Sequence, residues 1–161
     1  MNIEFKKLTE VSKQDFIDLM NHPLVRKQMP LLKGGFTEEA YETFAKEKEK
    51  HWQKHGFGLW AFVKDKEFIG WGGFQMENGD ADLALVLHPT YWGMGKYIYR
   101  DLICQAFHEF GFELVTVLLP PTRTRIKGLL RLGFREVGEL VINSERFIRY
   151  RLKKIDTMAV N

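Results

Sequence analysis

The sequence has 161 residues but a single cysteine, Cys104, and no long hydrophobic run. One cysteine cannot form an internal disulfide or supply the thiolates of a zinc finger, so both kinds of fold are excluded. No apolar run approaches the roughly 20 residues of a membrane-spanning helix. The first ten residues, MNIEFKKLTE, lack the apolar stretch of a signal peptide. We therefore expect a cytoplasmic protein that does not enter a membrane.

Internal repeats and low-complexity tracts are also missing. The chain contains 45% hydrophobic and 14% aromatic residues, which is enough to bury a core and excludes a disordered chain. Its length is close to the usual size of one domain, about 150 residues. The sequence therefore predicts one domain over residues 1–152 and a frayed tail over residues 153–161.

Charge is distributed unevenly along the chain, although the formal net charge is only +3. Residues 120–154 contain 10 Lys and Arg against 3 Asp and Glu, whereas the remainder contains 14 against 18. A basic segment of this kind is typical of a solvated face, or of a surface that binds a phosphate-bearing cofactor or nucleic acid. The basic residues are not interleaved with the aromatics of an RNA-stacking surface, which argues against nucleic acid.

The spacing of apolar residues predicts both helices and strands. Strands are predicted at residues 3–8, 59–63, 68–76, 81–87, 114–119, 134–142 and 146–152. Helices are predicted to begin after the N-caps Ser12 and Thr37, and again at residues 96–110 and 126–132. Residues 21–36 contain two prolines and a Gly-Gly pair, which indicates a long loop.

This order, β-α-α-β-β-β-α-β-α-β-β, predicts an α+β sandwich. The three strands within residues 59–87 are separated by short turns and should form an antiparallel meander. A helix joins the strand at 81–87 to the strand at 114–119, so these two should lie parallel. The expected sheet is therefore mixed and largely antiparallel, with helices on both faces.

Residues 85–96, LVLHPTYWGMGK, lead from a strand through a glycine-containing bend into a helix. The first N–H groups of a helix have no internal partner and carry positive potential, and glycine lets a phosphate approach the main chain. Lys96 and Arg100, one turn apart, would add positive charge. Two glycines alone are more typical of a plain turn, and the segment matches neither a P-loop nor a βαβ dinucleotide unit.

Four short segments together resemble one family. They are residues 69–74 (IGWGGF), 81–89 (ADLALVLHP), 91–95 (YWGMG) and 132–134 (LGF). In order and spacing the chain resembles the GNAT superfamily of acyl-CoA-dependent N-acyltransferases, in its ribosomal-protein-alanine acetyltransferase branch, over nearly all of residues 3–152. The resemblance implies acetyl-CoA as co-substrate and no metal.

The resemblance also implies where acetyl-CoA binds. The pantetheine arm would lie between two splayed strands, one ending near Leu87 and one starting near Leu114, with the pyrophosphate on the amides of residues 92–96. The implied cofactor-binding residues are Leu85, Val86, Leu87, Trp92, Gly93, Met94, Gly95, Lys96, Tyr97, Thr122 and Arg125.

The chain departs from the family pattern at three places. The glycine motif can be placed on residues 90–95, with Thr90 at the usual glutamine or arginine and a shortened loop, or on residues 92–97, with Tyr97 at a usually small position; we favour the first placement. The usual Asn-x-x-Ser after the next strand is replaced by residues 122–125, TRTR, and the tyrosine that many members use as general acid is Leu129. The residue that protonates the leaving thiolate is therefore not identified by the pattern.

Acetyl transfer to an amine needs a deprotonated amine and a polarised carbonyl group. Asp82 matches an acidic position that some family members use as a base, although an exposed strand residue paired with a lysine is the other interpretation. Glu77 is the second catalytic candidate. A backbone N–H near Leu87 would polarise the carbonyl group. His88 is expected to be a hydrogen-bonded loop residue rather than a base. Cys104 is expected to be a buried structural thiol rather than a nucleophile.

The predicted function is transfer of an acetyl group from acetyl-CoA directly to a primary amine, either a protein N-terminus or a small molecule. The alternative is a catalytically silent domain that binds CoA or a protein or RNA partner. A monomer and a homodimer are both compatible with the sequence.

Overall fold

The computed structural model describes residues 2–158, and residues 159–161 of the predicted tail lie outside the described part. The strands are β1 (Ile3–Lys6), β2 (Leu59–Lys64), β3 (Glu67–Glu77), β4 (Asp80–Leu87), β5 (Leu114–Leu119), β6 (Arg135–Ile142) and β7 (Glu145–Lys153). The helices are α1 (Lys13–Asn21), α2 (Pro23–Lys27), α3 (Glu38–His55), α4 (Gly95–Cys104), α5 (Lys127–Arg131) and α6 (Lys154–Met158).

The strands form a seven-stranded sheet in the order β1-β2-β3-β4-β5-β7-β6. Antiparallel ladders join β1 to β2, β2 to β3, β5 to β7 and β6 to β7. The ladder between β4 and β5 is parallel and pairs Ala81 with Val115 and Asp82 with Thr116. This confirms the predicted α+β fold with a mixed, largely antiparallel sheet.

The chain divides into two compact units. Within the described residues, the first unit runs to Gln75 and also includes Ala84–Gly93. The second consists of Met76–Leu83 and the chain from Met94 onward. The first half of β4, residues 80–83, therefore belongs to the second unit, and its second half, residues 84–87, belongs to the first.

Aromatic side chains form the core of the first unit. Phe16 of α1 is fully buried and its ring packs against the rings of Phe36, Tyr41, Phe44, Phe68 and Trp71. Aromatic pairs in tilted and edge-to-face arrangements add stabilisation beyond the area that they bury. The aromatic residues therefore hold α1 and α3 against the strands.

The helix boundaries of the first unit follow their capping residues. The hydroxyl of Ser12 accepts a hydrogen bond from the Asp15 amide at the start of α1, and Thr37 caps α3 in the same way. Gly56 ends α3 in the left-handed conformation, with φ of +75°, which glycine adopts at low cost. These caps confirm the predicted starts of both helices.

Residues 21–36 contain more structure than the predicted loop. His22 accepts a hydrogen bond from the Leu24 amide and Pro23 occupies the first helical position, so a short helix, α2, forms here. The side chain of Asn21 then makes two hydrogen bonds of 2.8 Å with the backbone of Phe36. This clamp closes the segment, and no periodic pattern in the sequence indicated it.

In the second unit the buried apolar side chains come from the first half of β4, from α4, β5 and β7, and from the short segments beside them. They are Ala81, Leu83, Ile98, Tyr99, Leu102, Ile103, Ala106, Phe107, Val115, Val117, Leu119, Leu129, Phe134, Phe147, Tyr150 and Leu152. The predicted continuous helix over residues 96–110 is interrupted: α4 ends at Cys104 and residues Gln105–Glu109 form a π-helical turn. In the predicted tail, β7 continues to Lys153 and α6 follows, so residues 154–158 are helical rather than frayed.

Of the helices in the described part of the chain, none combines the length and the apolar character needed to cross a membrane.

Candidate active site

The segment after β4 is held by a dense set of local hydrogen bonds. Residues Pro89–Met94 form a 3-10 turn, and the His88 amide donates to the Ile69 carbonyl at 2.8 Å. The His88 ring accepts from the Thr90 amide, and the indole of Trp92 donates to the Leu87 carbonyl at 2.9 Å. The segment is therefore rigidly positioned at the end of β4, and His88 is the hydrogen-bonded loop residue that the sequence predicted.

Helix α4 begins without the features that usually satisfy a helix N-terminus. Its N-cap residue, Met94, provides no side-chain hydrogen bond, and its first turn contains no acidic residue. In contrast, α1 and α3 have hydroxyl caps and acidic residues in their first turns. The 3-10 turn before α4 uses the amides up to Met94 in its own hydrogen bonds, so the helix dipole and the first-turn amides from Gly95 onward make the start of α4 suited to an anion.

The surroundings of the α4 N-terminus leave room for a ligand. A Cβ atom built on Gly93 would meet no atom within 4 Å, and Gly93 is exposed. Lys96 is exposed, and its ammonium lies 5.0 Å from the ring centre of Tyr97. A diphosphate would thus find open space, the first-turn amides of α4 and one cation in a continuous stretch of chain, so the residues present fit a CoA pyrophosphate.

The other predicted cofactor residues occupy two places. Leu85 and Val86 are half-buried in β4, whereas Leu87 is buried at its end. Thr122 and Arg125 are exposed in the loop between β5 and α5. The roles of all these residues remain predictions.

Among the described residues of the second unit, Asp82 is the acidic residue whose side chain is buried. It is only 8% exposed, and the hydroxyl of Thr116, itself 2% exposed, donates a 2.8 Å hydrogen bond to its Oδ1 atom. Burial raises the pKa of Asp82 from its usual 3.8 to about 7. The interpretation of Asp82 as an exposed residue paired with a lysine is therefore wrong.

Charged neighbours modify this carboxyl group. The negative charge of Glu77 raises the pKa of Asp82 further, while the Thr116 hydrogen bond and the positive charge of Arg149 lower it. Arg149 also forms an ion pair with Asp80. The structure thus brings the two predicted catalytic residues, Asp82 and Glu77, into one electrostatic environment.

One further residue near Asp82, Tyr99, was not identified from the sequence. Tyr99 of α4 is 8% exposed, and its pKa is raised by burial and by the charge of Asp82. Arg123, from the loop after β5, hydrogen-bonds to the Tyr99 hydroxyl and has the opposite effect on the pKa. Tyr99 belongs to the apolar stripe of α4, and so its sequence position gave no sign of a polar role.

Some residues of the basic segment have partners inside the second unit. Arg149 pairs with Asp80, Arg123 with Tyr99, and Arg146 with Glu139 at 2.7 Å. The excess of basic residues therefore serves internal contacts as well as the surface.

The prediction of Cys104 as a buried thiol is wrong, because the residue is exposed at the end of α4. The buried residues Leu102 and Ala106 are each two positions away, which places Cys104 on the opposite side of a 3.6-residue helical repeat.

Among residues 2–158, no group of three or more His, Cys, Asp or Glu side chains is placed to hold a metal ion.

The first unit carries an open cleft of about 570 Å³ beside the turn that follows β4. Its lining includes the carboxylates of Asp15, Asp18 and Glu67 and one lysine, Lys66. The Tyr91 hydroxyl donates a 3.0 Å hydrogen bond to Glu67, which ties the wall of the cleft to the turn. Carboxylates outnumber lysines in the lining, so the cleft is suited to a cationic molecule.

Comparison with known proteins identifies the family and the fold. The profile of the acetyltransferase (GNAT) domain family matches residues 3–135. A GNAT-family acetyltransferase from Bacillus anthracis is 16% identical, with a TM-score of 0.77 and coverage of 95% of each chain. An acetyltransferase from Agrobacterium tumefaciens strain C58 is also 16% identical, with a TM-score of 0.77 and coverage of 94% of this chain and 91% of the other.

A spermidine N-acetyltransferase from Vibrio cholerae, solved in complex with CoA and spermine, is 13% identical, with a TM-score of 0.75 and coverage of 97% of this chain and 98% of the other. At these identities the structural matches establish a shared fold, and the family profile, which spans most of the chain, establishes the relationship. The chain belongs to the GNAT acetyltransferase family and is an acetyl-CoA-dependent N-acetyltransferase.

Proposed function

We propose that the enzyme transfers an acetyl group to the primary amine of a small cationic molecule, with Asp82 as the base. The observation that carries the proposed cofactor site is the N-terminus of α4, which lacks a side-chain cap and acidic residues and is preceded by the open Gly93. We assign the pyrophosphate of acetyl-CoA to residues 92–96 at the start of α4, with Tyr97 as the next contact, and the pantetheine to Leu85, Val86 and Leu87. Thr122 and Arg125 are proposed as additional contacts.

Acetyl-CoA supplies an activated acyl group, so the enzyme needs no covalent intermediate of its own. The acceptor arrives as an ammonium ion and must first lose one proton. The neutral nitrogen then attacks the thioester carbonyl carbon, the C–S bond breaks, and the nitrogen loses a second proton while the thiolate gains one. A base with a pKa near 7 is well matched to taking a proton from the nitrogen at neutral pH. Asp82 has such a pKa, and because it is 8% exposed we propose that it acts at its exposed edge or through a water molecule.

The acidic cleft of the first unit favours a small cationic acceptor by attracting it to the enzyme, and the cleft is not proposed to hold the nitrogen that reacts. Amines are protonated at neutral pH, and the carboxylates of Asp15, Asp18 and Glu67 would attract them. The structurally similar Vibrio cholerae enzyme is a spermidine N-acetyltransferase. A protein N-terminus, as in the ribosomal-protein-alanine branch, is the second acceptor class that we propose, and it would also arrive as a cation.

Gly93→Ala tests the cofactor site. A Cβ at this position would occupy the space through which a phosphate approaches the main chain, so we expect the Kd for acetyl-CoA to rise about tenfold, or about 1.4 kcal/mol. Folding should be unaffected, because that Cβ meets nothing within 4 Å. Isothermal titration calorimetry gives the Kd. Gly128→Ala in α5 is the matched control, since its Cβ is equally unobstructed. An unchanged Kd for Gly93→Ala would place the pyrophosphate elsewhere.

Asp18→Asn tests the acceptor class. An asparagine oxygen can still accept the hydrogen bond that Gln14 donates to Asp18, so only the charge is removed. We expect KM for spermidine to rise about two- to fivefold with kcat unchanged, as for loss of one exposed charge contact. KM for a monoamine that carries no second charge should change less. Glu47→Gln, on the exposed surface of α3, is the control. Equal changes for both amines would contradict a role for the cleft in recognition.

The departures at Thr122 and Leu129 motivate the alternative of a silent CoA-binding domain. The two proposals differ in one measurement, which is release of free thiol from acetyl-CoA in the presence of a panel of amines. Binding of acetyl-CoA with no amine-dependent thiol release would support the silent domain and overturn the proposed transfer to these primary amines.

A further inference from the structure

Thr116 and Asp82 form a polar pair inside the second unit. They lie directly opposite each other in the parallel ladder between β4 and β5. The Thr116 hydroxyl donates to Oδ1 of Asp82 at 2.8 Å, and it is the most buried polar side chain in this environment, at 2% exposure. Neighbouring core positions of β5, Val115 and Val117, are valines. Because valine has nearly the shape of threonine, packing alone does not require a hydroxyl at this position.

We propose that Thr116 is a positioning residue for acetyl transfer: its hydroxyl fixes the orientation of the Asp82 carboxylate and stabilises its charged form, which leaves Oδ2 to receive the proton of the amine. This inference rests on the proposed function, in which Asp82 is the base. It deepens that proposal, because the resemblance to the family identifies the acidic position on β4 but assigns no role to β5 at this point.

The other groups around Asp82 do not replace this hydroxyl. Glu77, at the end of β3, opposes ionisation of Asp82, and Arg149 of β7 favours it but is shared with Asp80. Tyr99 of α4 is engaged by Arg123. The Thr116 hydroxyl donates directly to the carboxylate. Its removal should therefore change the ionisation of Asp82 even when the packing around it is kept.

The test is a carboxyl-carbon NMR titration of Asp82 in full-length protein labelled at aspartate, with Asp82→Asn to assign the signal. Thr116→Val removes the hydroxyl and keeps the shape, and we expect the midpoint to rise by about one pH unit. Thr116→Ser should restore a midpoint close to wild type. Thr43→Val, at an exposed site of α3, is the control and should have no effect. An unchanged midpoint in Thr116→Val would overturn the proposal.

The same variants are then compared by the pH dependence of kcat/KM. In Thr116→Val the acidic limb should move upward together with the NMR midpoint, so that activity is about tenfold lower at pH 6 and close to wild type at pH 9. A midpoint that moves without the acidic limb would overturn the role in catalysis. If the midpoint moves but wild-type enzyme acetylates no amine, the hydrogen-bond assignment is supported and the proposed function fails, so the two failures are distinguishable.

Discussion

Asp82→Asn should lower kcat/KM for amine acetylation by about 10²- to 10⁴-fold, the usual contribution of a positioned general base. Asparagine keeps an oxygen that can accept the Thr116 hydrogen bond, but it cannot take a proton. The Kd for acetyl-CoA should stay close to wild type, because the proposed pyrophosphate site uses backbone amides of other residues. Steady-state kinetics across pH 5 to 10, together with calorimetry for acetyl-CoA, measure the two effects separately.

The neighbouring carboxylate provides the matched control. The charge of Glu77 raises the pKa of Asp82, so Glu77→Gln should lower that pKa and move the acidic limb of kcat/KM toward lower pH. Activity at pH 9 should be unchanged if Asp82 alone is the base. A loss in Glu77→Gln as large as that in Asp82→Asn would instead make Glu77 the base. Asp82→Asn with wild-type activity would remove Asp82 from the mechanism.

Asp82→Asn, which should lower activity, should raise the stability of the fold at neutral and higher pH. The pKa of Asp82 is about 7 in the folded chain against the usual 3.8. As the pH rises between these two values, the unfolded chain releases its proton first, and the free energy of unfolding falls. Above pH 7 the charged, buried carboxylate costs the folded state at most about 4 kcal/mol. Asp82→Asn should therefore be more stable than wild type at pH 8 and nearly equal to it at pH 4, as measured by urea unfolding.

A variant that gains stability while losing activity would distinguish a functional residue from a structural one. If Asp82 were only a structural part of the β4–β5 ladder, its replacement would cost stability at every pH. Burial of an ionisable group with few compensating partners is a feature that folding alone does not favour. The energetic cost of the Asp82 carboxylate is thus consistent with a role in the reaction.

The strands could be predicted well from the sequence because their apolar periodicity is local. The limits predicted for β5 agree with the structure, and those of β4 differ by one residue at the start. Helix α2 was not predicted, since it depends on a histidine cap and the Asn21 clamp rather than on a periodic pattern. The π-helical turn after α4 was also missed, because a single inserted residue hardly changes the spacing of buried positions.

The site could be predicted only in part, for a physical reason. The glycine bend and the start of α4 are contiguous in sequence, so their relation to each other is visible without a structure. Asp82, Thr116 and Tyr99 come from separate elements, and only the resemblance to a family drew attention to Asp82. The hydrogen bond from Thr116 and the contact of Arg123 with Tyr99 depend on tertiary structure, which no local pattern reports.

Gly72→Ala should destabilise the fold by about 3 kcal/mol, the upper end of the usual cost of overpacking. A Cβ on Gly72 of β3 would lie 2.6 Å from the Ala84 carbonyl oxygen and 3.2 Å from the Leu85 Cα. Both are backbone atoms of β4, so they cannot move aside as a flexible side chain would. For a chain of this size the expected fall in Tm is about 6 to 12 °C.

Gly72 therefore links the stability of the first unit to β4, the strand whose second half we assign to pantetheine. The clash falls on Ala84 and Leu85, where β4 leads into the turn that precedes α4. Thermal unfolding followed by circular dichroism measures the loss, with Gly128→Ala as the control, since its added Cβ meets nothing within 4 Å. We expect Gly72→Ala also to weaken acetyl-CoA binding below its Tm, because displacement of Leu85 would disturb a residue assigned to pantetheine. A Tm within 2 °C of wild type, a shift of about 1 kcal/mol or less, would mean that β3 and β4 can separate, and that the glycine is not needed for their close approach.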